Sequence, residues 1–424
     1  MAWQLAEHRE ITRHAGPRSW LKVSDNKRYI MQAAPERQAI ISGIGQSAVG
    51  RRLGRGGLDL TLEAVFAALN DAGLDRTDID GVASWPGFKA EMPAFSPVSI
   101  GELKEALDLQ LNWYSAGGEA TQMSALINAC MAVASGQARH VLCFRTVTEF
   151  TALAEGIRSS NVGTGGARIS GFGEFQIPFQ AASPANWIGM VASRYFHEFG
   201  VRREQLAAVA INARRNAALN PKAVYKEPLT LDQYMNSRMI SSPLCLFDCD
   251  VPIDGSTVII VSHRDTGVDM RSVPINVESI AGPLNGRDTW DQMADLTRFC
   301  AEAAGKRLWS RTDYKPADVD VVELYDGFSF LSLLWLEGLG FCGRGEAAAF
   351  VEGGQRIALE GELPLNTHGG QLSGGRLHGM GHVYEAVVQL RGEGGARQVA
   401  GQPKLAVASN GGGPLAAAVL LSRE

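Results

Sequence analysis

The feature that most constrains this chain is an order of elements that occurs twice. In the first half QAIISGIGQ reads as a buried strand ending in glycine, LDLTLEAVFAALNDAGL carries apolar residues at helical spacing up to Gly73, and DIDGVASW reads as a second strand. In the second half PINVESIAG, LTRFCAEAAGKRLW and DVDVVELYDGF give strand, helix and strand again. NWYSAGGEATQMSALINACMAVASGQARHVLCFR offers a Gly-Gly turn, a helix and a strand, and NTHGGQLSGGRLHGMGHVYEAVVQLRG followed by KLAVASNGGG matches it. The spacing from Asp80 to Gly117 differs from that between Asp320 and Gly369, so the pattern is a duplicated, layered α/β fold and not a solenoid of fixed period. The halves are placed at 38–268 and 270–424, after an N-terminal extension at 1–37. Residues 150–243 read as an insertion in the first half, with helices around Trp187–Phe199 and Arg203–Leu219, expected to shape a pocket.

Composition narrows the function. Hydrophobic residues are 45% and charged residues 20% of 424, which fits a globular chain with a large core. A net charge of -5 with no long basic run argues against nucleic acid as a partner. No apolar run approaches the ~18 residues of a membrane span. The six cysteines form no CxxC pair, so neither a disulfide framework nor a zinc site is indicated, and a reducing, cytoplasmic setting is expected. The extension is basic but lacks an apolar segment and carries Glu7, Glu10 and Asp25, a poor leader, and Met31 is an alternative start.

Four places carry candidate chemistry. His368, His378 and His382 share fifteen residues with Gly369, Gly370, Gly374, Gly375, Gly379 and Gly381, which brings backbone donors and a titratable base together as enolate chemistry requires; a glycine-packed loop with solvated histidines is the plainer alternative. No carboxylate sits at metal-ligand spacing there. Tyr325 and Asp326 end an apolar strand, as a proton-transfer pair or as a strand-end Tyr with a turn-capping Asp. Ser115 precedes Gly117 and Gly118 where a helix is expected to start, so it is either at an anion-binding terminus or an N-cap. Ser409 and Asn410 precede Gly411 and Gly412, a tight turn that suits either an oxyanion or close packing.

The Gly-Gly turn, YDGFSF, NTHGGQLSGGRLHGMGH and SNGGGPLAAAVLL, in this order, resemble the thiolase superfamily, in its sterol-carrier or lipid-transfer-protein branch, where steroid side-chain aldolases occur. The resemblance covers about 38–424 and implies a five-layer α-β-α-β-α core with an inserted loop domain. It places Ser115 and Ser409 where thiolases carry cysteines, and Tyr325 to Phe328 on the Asn-Glu-Ala-Phe motif. Arg376 falls on the Gly-His-Pro histidine and on the aldolases' late tyrosine. A serine without a base is a weak nucleophile, so condensation through an acyl-cysteine is excluded. The remaining kit suits retro-aldol cleavage of a β-hydroxyacyl-CoA. Tyr325 would act on the hydroxyl, tuned by Asp326; His368 or His378 would assist proton transfer; Arg376 would polarise an oxygen or lower a phenol's pKa. Backbone donors near Ser115 and Gly412 would bind the thioester oxygen, with Gly117, Gly118, Gly369, Gly370, Ser409, Asn410 and Gly411 around it. The resemblance also implies a homodimer, with HVLCFRT at its interface, and a DUF35 (zinc-ribbon plus OB-fold) partner that would hold zinc. This chain itself would hold no cofactor or metal. An acyltransferase or degenerate thiolase, and a non-catalytic acyl-CoA or lipid carrier, are the competing readings.

Overall fold

The computed structural model describes residues 34–88, 93–117, 121–157, 169, 171–283 and 289–423, so the expectations for Gly118 and for most of the 1–37 extension fall outside the described residues. The strands are β1 (Ala39–Gln46), β2 (Gly81–Ser84), β3 (Trp113–Ala116), β4 (His140–Thr148), β5 (Met239–Ser241), β6 (Leu244–Cys245), β7 (Asp254–His263), β8 (Ile275–Ala281), β9 (Val321–Glu323), β10 (Leu405–Gly411) and β11 (Ala416–Ser422). Nine of them form one sheet in the order β3-β2-β4-β7-β1-β8-β11-β10-β9. Among the described residues, the strands of the first half and those of the second meet only where β1 pairs with β8, through Ile40↔Asn276 and Ile41↔Ile275.

Alternation along the strands shows the layering. On β7, Val258 and Ile260 pack under helices Gly57–Ala72 and Ile100–Leu107, while Ile259 and Val261 face a central layer. On β10, Ala406 and Ala408 face that same central layer, and Leu405 and Val407 face helices Cys300–Trp309 and Ser329–Gly338. The central layer is the pair of helices Ser124–Ala134 and Gly379–Arg391, one from each half, whose small residues Ala125, Ala129, Ala132 and Ala386 let both sheet faces close on them. Helix, sheet, helix, sheet, helix is the five-layer order that the resemblance to the thiolase superfamily implies.

Two local expectations are corrected. The first central helix starts at Ser124, not at the Gly-Gly turn, because the Gln122 N–H leaves the helical ladder for Asn410 Oδ1 (3.1 Å) and Ser124 N–H closes a turn on the Thr121 carbonyl. HVLCFRT lies in β4, which β2 and β7 pair on both sides, so it has no free edge to offer a second copy. The open edge of the first half is β3, where Tyr114 is exposed.

The segment read as an insertion contributes helices Pro184–Phe199 and Arg203–Ala218. The second carries Asn212 and Asn216 one turn apart on one face. Both donate to the Leu365 carbonyl, Asn216 also to that of Asn366, and Asn220 just beyond donates to that of His368. Arg214 reaches the Ser373 hydroxyl at 3.0 Å. The insertion thereby clamps the backbone of the histidine- and glycine-rich loop.

Candidate active site

Tyr325 leaves β9 with its N–H donating to Ser409 Oγ at 3.0 Å, and its ring folds back over Gly327. A Cβ at Gly327 would stand 3.1 Å from the phenolic oxygen, so a glycine is what lets the ring lie there. Burial raises the phenol's pKa, and the charge of Asp250 raises it further, against Arg376 and the Gln371 carboxamide, which lower it. Arg376 pulls the phenol's pKa down, and burial and Asp250 outweigh that pull.

Arg376 is held by carboxylates from two distant segments. Its Nε and Nη2 donate to both oxygens of Glu149 at 3.0 and 2.8 Å, and its Nη1 donates to Asp250 Oδ1 at 2.9 Å. Such a bidentate fork fixes the guanidinium plane. Three of its five N–H groups are therefore committed to anchoring, which makes Arg376 the holder of Asp250 and not a free polarising group. The Asp250 carboxyl is pushed up to about 6 by burial, with Glu149 and Asp326 adding to the rise and Arg376 opposing it. A carboxylate titrating close to neutrality, beside a phenol, is a proton acceptor poised for turnover.

The histidines divide into different roles. His378 is the residue before helix Gly379–Arg391 and takes φ 55°, ψ -160°, a conformation costing ~1–3 kcal/mol that persists only where the surroundings hold it. They do: the buried Arg145 donates to Nδ1 from Nε and Nη2 at 3.4 and 3.3 Å, and the Phe95 ring meets the imidazole edge-on at 5.1 Å. Arginine has no acceptor, so Nδ1 holds the lone pair and Nε2 the hydrogen. Burial, then the charges of Arg145 and Arg376, drive the His378 pKa well below its ordinary value, leaving a neutral donor at physiological pH. For His368, burial works downward, but the hydrogen bond and charge of Glu323, whose Oε2 lies 2.9 Å from Nδ1, with Glu385 and Asp326, raise its pKa overall. His382 is fully buried, with Nε2 at 3.2 Å from Asp326 Oδ1, and its ring lies 6.1 Å from that of Tyr325. Asp326 thus holds His382 and the Gln371 N–H and raises, rather than lowers, the Tyr325 pKa.

Tyr325, Asp326, His368, His378 and Arg376 come together. Ser115 does not join them by any described contact: it lies inside β3, and among the described residues its side chain bonds only with Asn128, whose amide donates to it at 3.2 Å. Gly117 is exposed, with nothing near its would-be Cβ. Ser409 is spent holding the Tyr325 backbone. The Gly412 N–H, expected to bind a thioester oxygen, is taken by the Leu415 carbonyl at 2.9 Å, and the Gly411 carbonyl takes the Trp335 indole N–H. Gly369 and Gly370 serve close approach: a Cβ at Gly369 would meet Ala217 at 2.5 Å, and one at Gly370 would overlap Asp326 Oδ2. Asn410 offers a donor instead. It is fully buried, its Oδ1 is fixed by the Gln122 N–H, and among the described residues its Nδ2 has no hydrogen-bond partner. Gly379 leaves room for it, since a Cβ there would come within 2.8 Å of that nitrogen.

Asp250, Glu149, Arg145 and Gln371 are site residues that the sequence reading missed. The run DCD inside CLFDCDVPIDG was the available signal for Asp250, because two acids in an apolar stretch demand partners. Cys249, next to it, is no nucleophile: burial, then the charges of Asp250 and Asp248, raise its pKa, and its S–H points to the Cys245 carbonyl.

Residues 284–422 match the family described as thiolase C-terminal domain-like. A 17-hydroxy-3-oxo-4-pregnene-20-carboxyl-CoA lyase of Mycobacterium tuberculosis is 34% identical over 393 residues, spanning 90% of this chain and 99% of that protein. A steroid side-chain-cleaving aldolase of Thermomonospora curvata is 35% identical over 364 residues, 84% of this chain and 90% of the relative. A solved structure described as the Ltp2-ChsH2(DUF35) aldolase superposes with a TM-score of 0.81 at 32% identity, covering 92% of this chain and 99% of that one. Human mitochondrial 3-ketoacyl-CoA thiolase, at 15% identity and a TM-score of 0.65, shares the fold.

Proposed function

The chain belongs to the thiolase superfamily, on the branch of the steroid side-chain-cleaving aldolases, and from that premise we propose that it is a carbon–carbon lyase cleaving a β-hydroxyacyl-CoA by retro-aldol chemistry. The observation that carries the reading is the buried grouping of Tyr325, Asp250 and Arg376: the Tyr325 ring lies over Gly327, the Gly327 carbonyl accepts the Asp250 N–H at 3.1 Å, and Arg376 Nη1 holds the Asp250 carboxylate at 2.9 Å. As the β-hydroxyl loses its proton to Tyr325, the phenol gives its own to the Asp250 carboxylate, directly or through a water. The Cα–Cβ bond breaks, its electrons move into the thioester as an enolate, and a ketone or aldehyde departs. Asn410 Nδ2 and the His378 Nε2–H are the donors for the enolate oxygen, and His368, whose pKa Glu323 raises, returns a proton to Cα to give the shorter acyl-CoA. No covalent enzyme intermediate is needed. Branched, steroid-like acyl groups are the substrate class suggested by the names of the relatives.

A DUF35-type protein as partner is proposed from the complex named in the similar structure. A homodimer through the open edge β3 is proposed from its unpaired backbone and exposed Tyr114. The test is co-expression with a DUF35-type protein and a screen of branched β-hydroxyacyl-CoAs. A carbonyl product plus a shorter acyl-CoA is expected; a stable acyl adduct on the chain with no carbonyl product would overturn the reading in favour of an acyltransferase.

A further inference from the structure

Gln371 is a buried polar side chain that approaches Tyr325 without being satisfied. It is 1% exposed, and among the described residues neither its Oε1 nor its Nε2 makes a well-formed hydrogen bond, although the carboxamide lies close enough to the phenol to lower its pKa. Its backbone is fixed on both sides: the N–H donates to Asp326 Oδ1 at 2.9 Å, and the carbonyl accepts from Val251 N–H at 3.0 Å. It sits in the turn Gly370–Gly374, wound as a π-helix, a form that gathers at functional sites. Its side chain faces the Tyr325 hydroxyl, and the residue lines one crevice with His368 and His378.

Leaving a buried amide unmatched costs ~1–3 kcal/mol per polar group, which a leucine or methionine of similar volume would avoid. The group that relieves both atoms together with the phenol must donate once and accept once. A hydroxyl does this; a thioester or ketone carbonyl only accepts.

We propose that Gln371 is the specificity-determining residue that reads the β-hydroxyl of the substrate, an inference that rests on the retro-aldol reading above. In the bound complex before reaction the three groups close a ring: the substrate hydroxyl donates to Tyr325 Oη, the phenol donates to Gln371 Oε1, and Gln371 Nε2 donates to the substrate oxygen; the phenol O–H turns from Gln371 to Asp250 as proton transfer begins. Each partner then donates once and accepts once. A deoxy acyl-CoA of the same length leaves the ring broken and the amide unmatched, which is how such a site rejects it.

The test compares a β-hydroxyacyl-CoA with its deoxy counterpart on the wild-type chain with its DUF35-type partner, on Gln371→Met, and on Gln371→Glu, which keeps an acceptor. The Met variant is expected to lose about tenfold or more in kcat/KM for the hydroxy compound while the inhibition constant of the deoxy compound stays level or tightens. The Glu variant is expected to fall between. Equal weakening of both ligands marks a structural role and overturns the inference, as does an unchanged preference, even though turnover by the wild type would leave the retro-aldol reading standing. Should the wild type turn over no β-hydroxyacyl-CoA, that reading fails, and calorimetric titration of the two ligands decides the inference: a hydroxyl preference lost in the Met variant supports it, and no preference in the wild type overturns it.

Discussion

At the scale of single residues, the chemistry depends on groups whose protonation is set by burial against specific charges. Tyr325→Phe removes only a hydroxyl from a ring packed over Gly327, so the melting temperature should hold while kcat falls ~100-fold or more, as loss of a general acid–base group does. Steady-state rates beside a thermal melt check this, and a near-normal kcat would remove Tyr325 from the mechanism. The sign of the pH dependence follows from Asp250. Its folded value of about 6 lies above the ordinary ~4 of an aspartate, and only the carboxylate can take a proton, so kcat/KM should rise with pH through about 6 and level off above it. Asp250→Asn should abolish that acidic limb together with most of the activity. For stability the informative group is His378. Its pKa is lower in the folded chain, so the unfolded chain binds the extra proton, and stability should decline as pH falls below ~6.5. Denaturant melts of His378→Gln against the wild type at pH 5 and 7.5 should show a smaller pH loss in the variant.

At the scale of elements, the readable part of the site is what lies within one segment. Tyr325 and the three histidines were legible because a strand end and a glycine-dense turn advertise themselves locally. Arg145 and Glu149 were not, because they reach His378 and Arg376 across 233 and 227 residues and no spacing in the sequence records that pairing. Ser115 was misread for a related reason: the helix start was inferred from the Gly-Gly pair, whereas Asn410, far along the chain, captures the Gln122 N–H and delays the helix to Ser124. The π-helical turn Gly370–Gly374 can adopt its form only because Gly370 sits at φ 57° with Asp326 against its α-carbon. Gly370→Ala should therefore cost more than the ~1–2 kcal/mol of left-handed strain, because a methyl there would also displace the carboxylate that holds His382. A denaturant titration should register a loss above ~2 kcal/mol together with a collapse of activity. The asparagine stripe of the inserted helix belongs to the same element. Removing Asn212 and Asn216 together deletes three bonds to loop carbonyls at roughly 1 kcal/mol each, and activity should fall with stability.

At the scale of the whole molecule, duplication made the architecture legible while the assembly stayed hidden. Repeated strand–helix–strand order predicts two layered α/β halves, because each half has apolar residues on both faces of its strands and must cover them; the five-layer core came from the resemblance to the thiolase superfamily. Which strand remains at an edge is not in that pattern. HVLCFRT, with the apolar run Val141–Phe144 at its centre, looks like a surface waiting for a partner, yet that same run makes it fit an interior strand buried on both faces, and β4 is one. The unpaired backbone is instead on β3, whose alternate residues are half-buried and exposed and whose Tyr114 stands in solvent. A flat, aromatic edge is rarely left uncovered, and in the proposed homodimer a second copy would supply the complement by two-fold symmetry. Tyr114→Lys places a charge on that edge without touching Tyr325, Asp250 or the histidines. Light scattering coupled to size exclusion should find the wild type at twice the chain mass and the variant shifted toward the monomer. A variant that stays fully dimeric would move the interface away from β3.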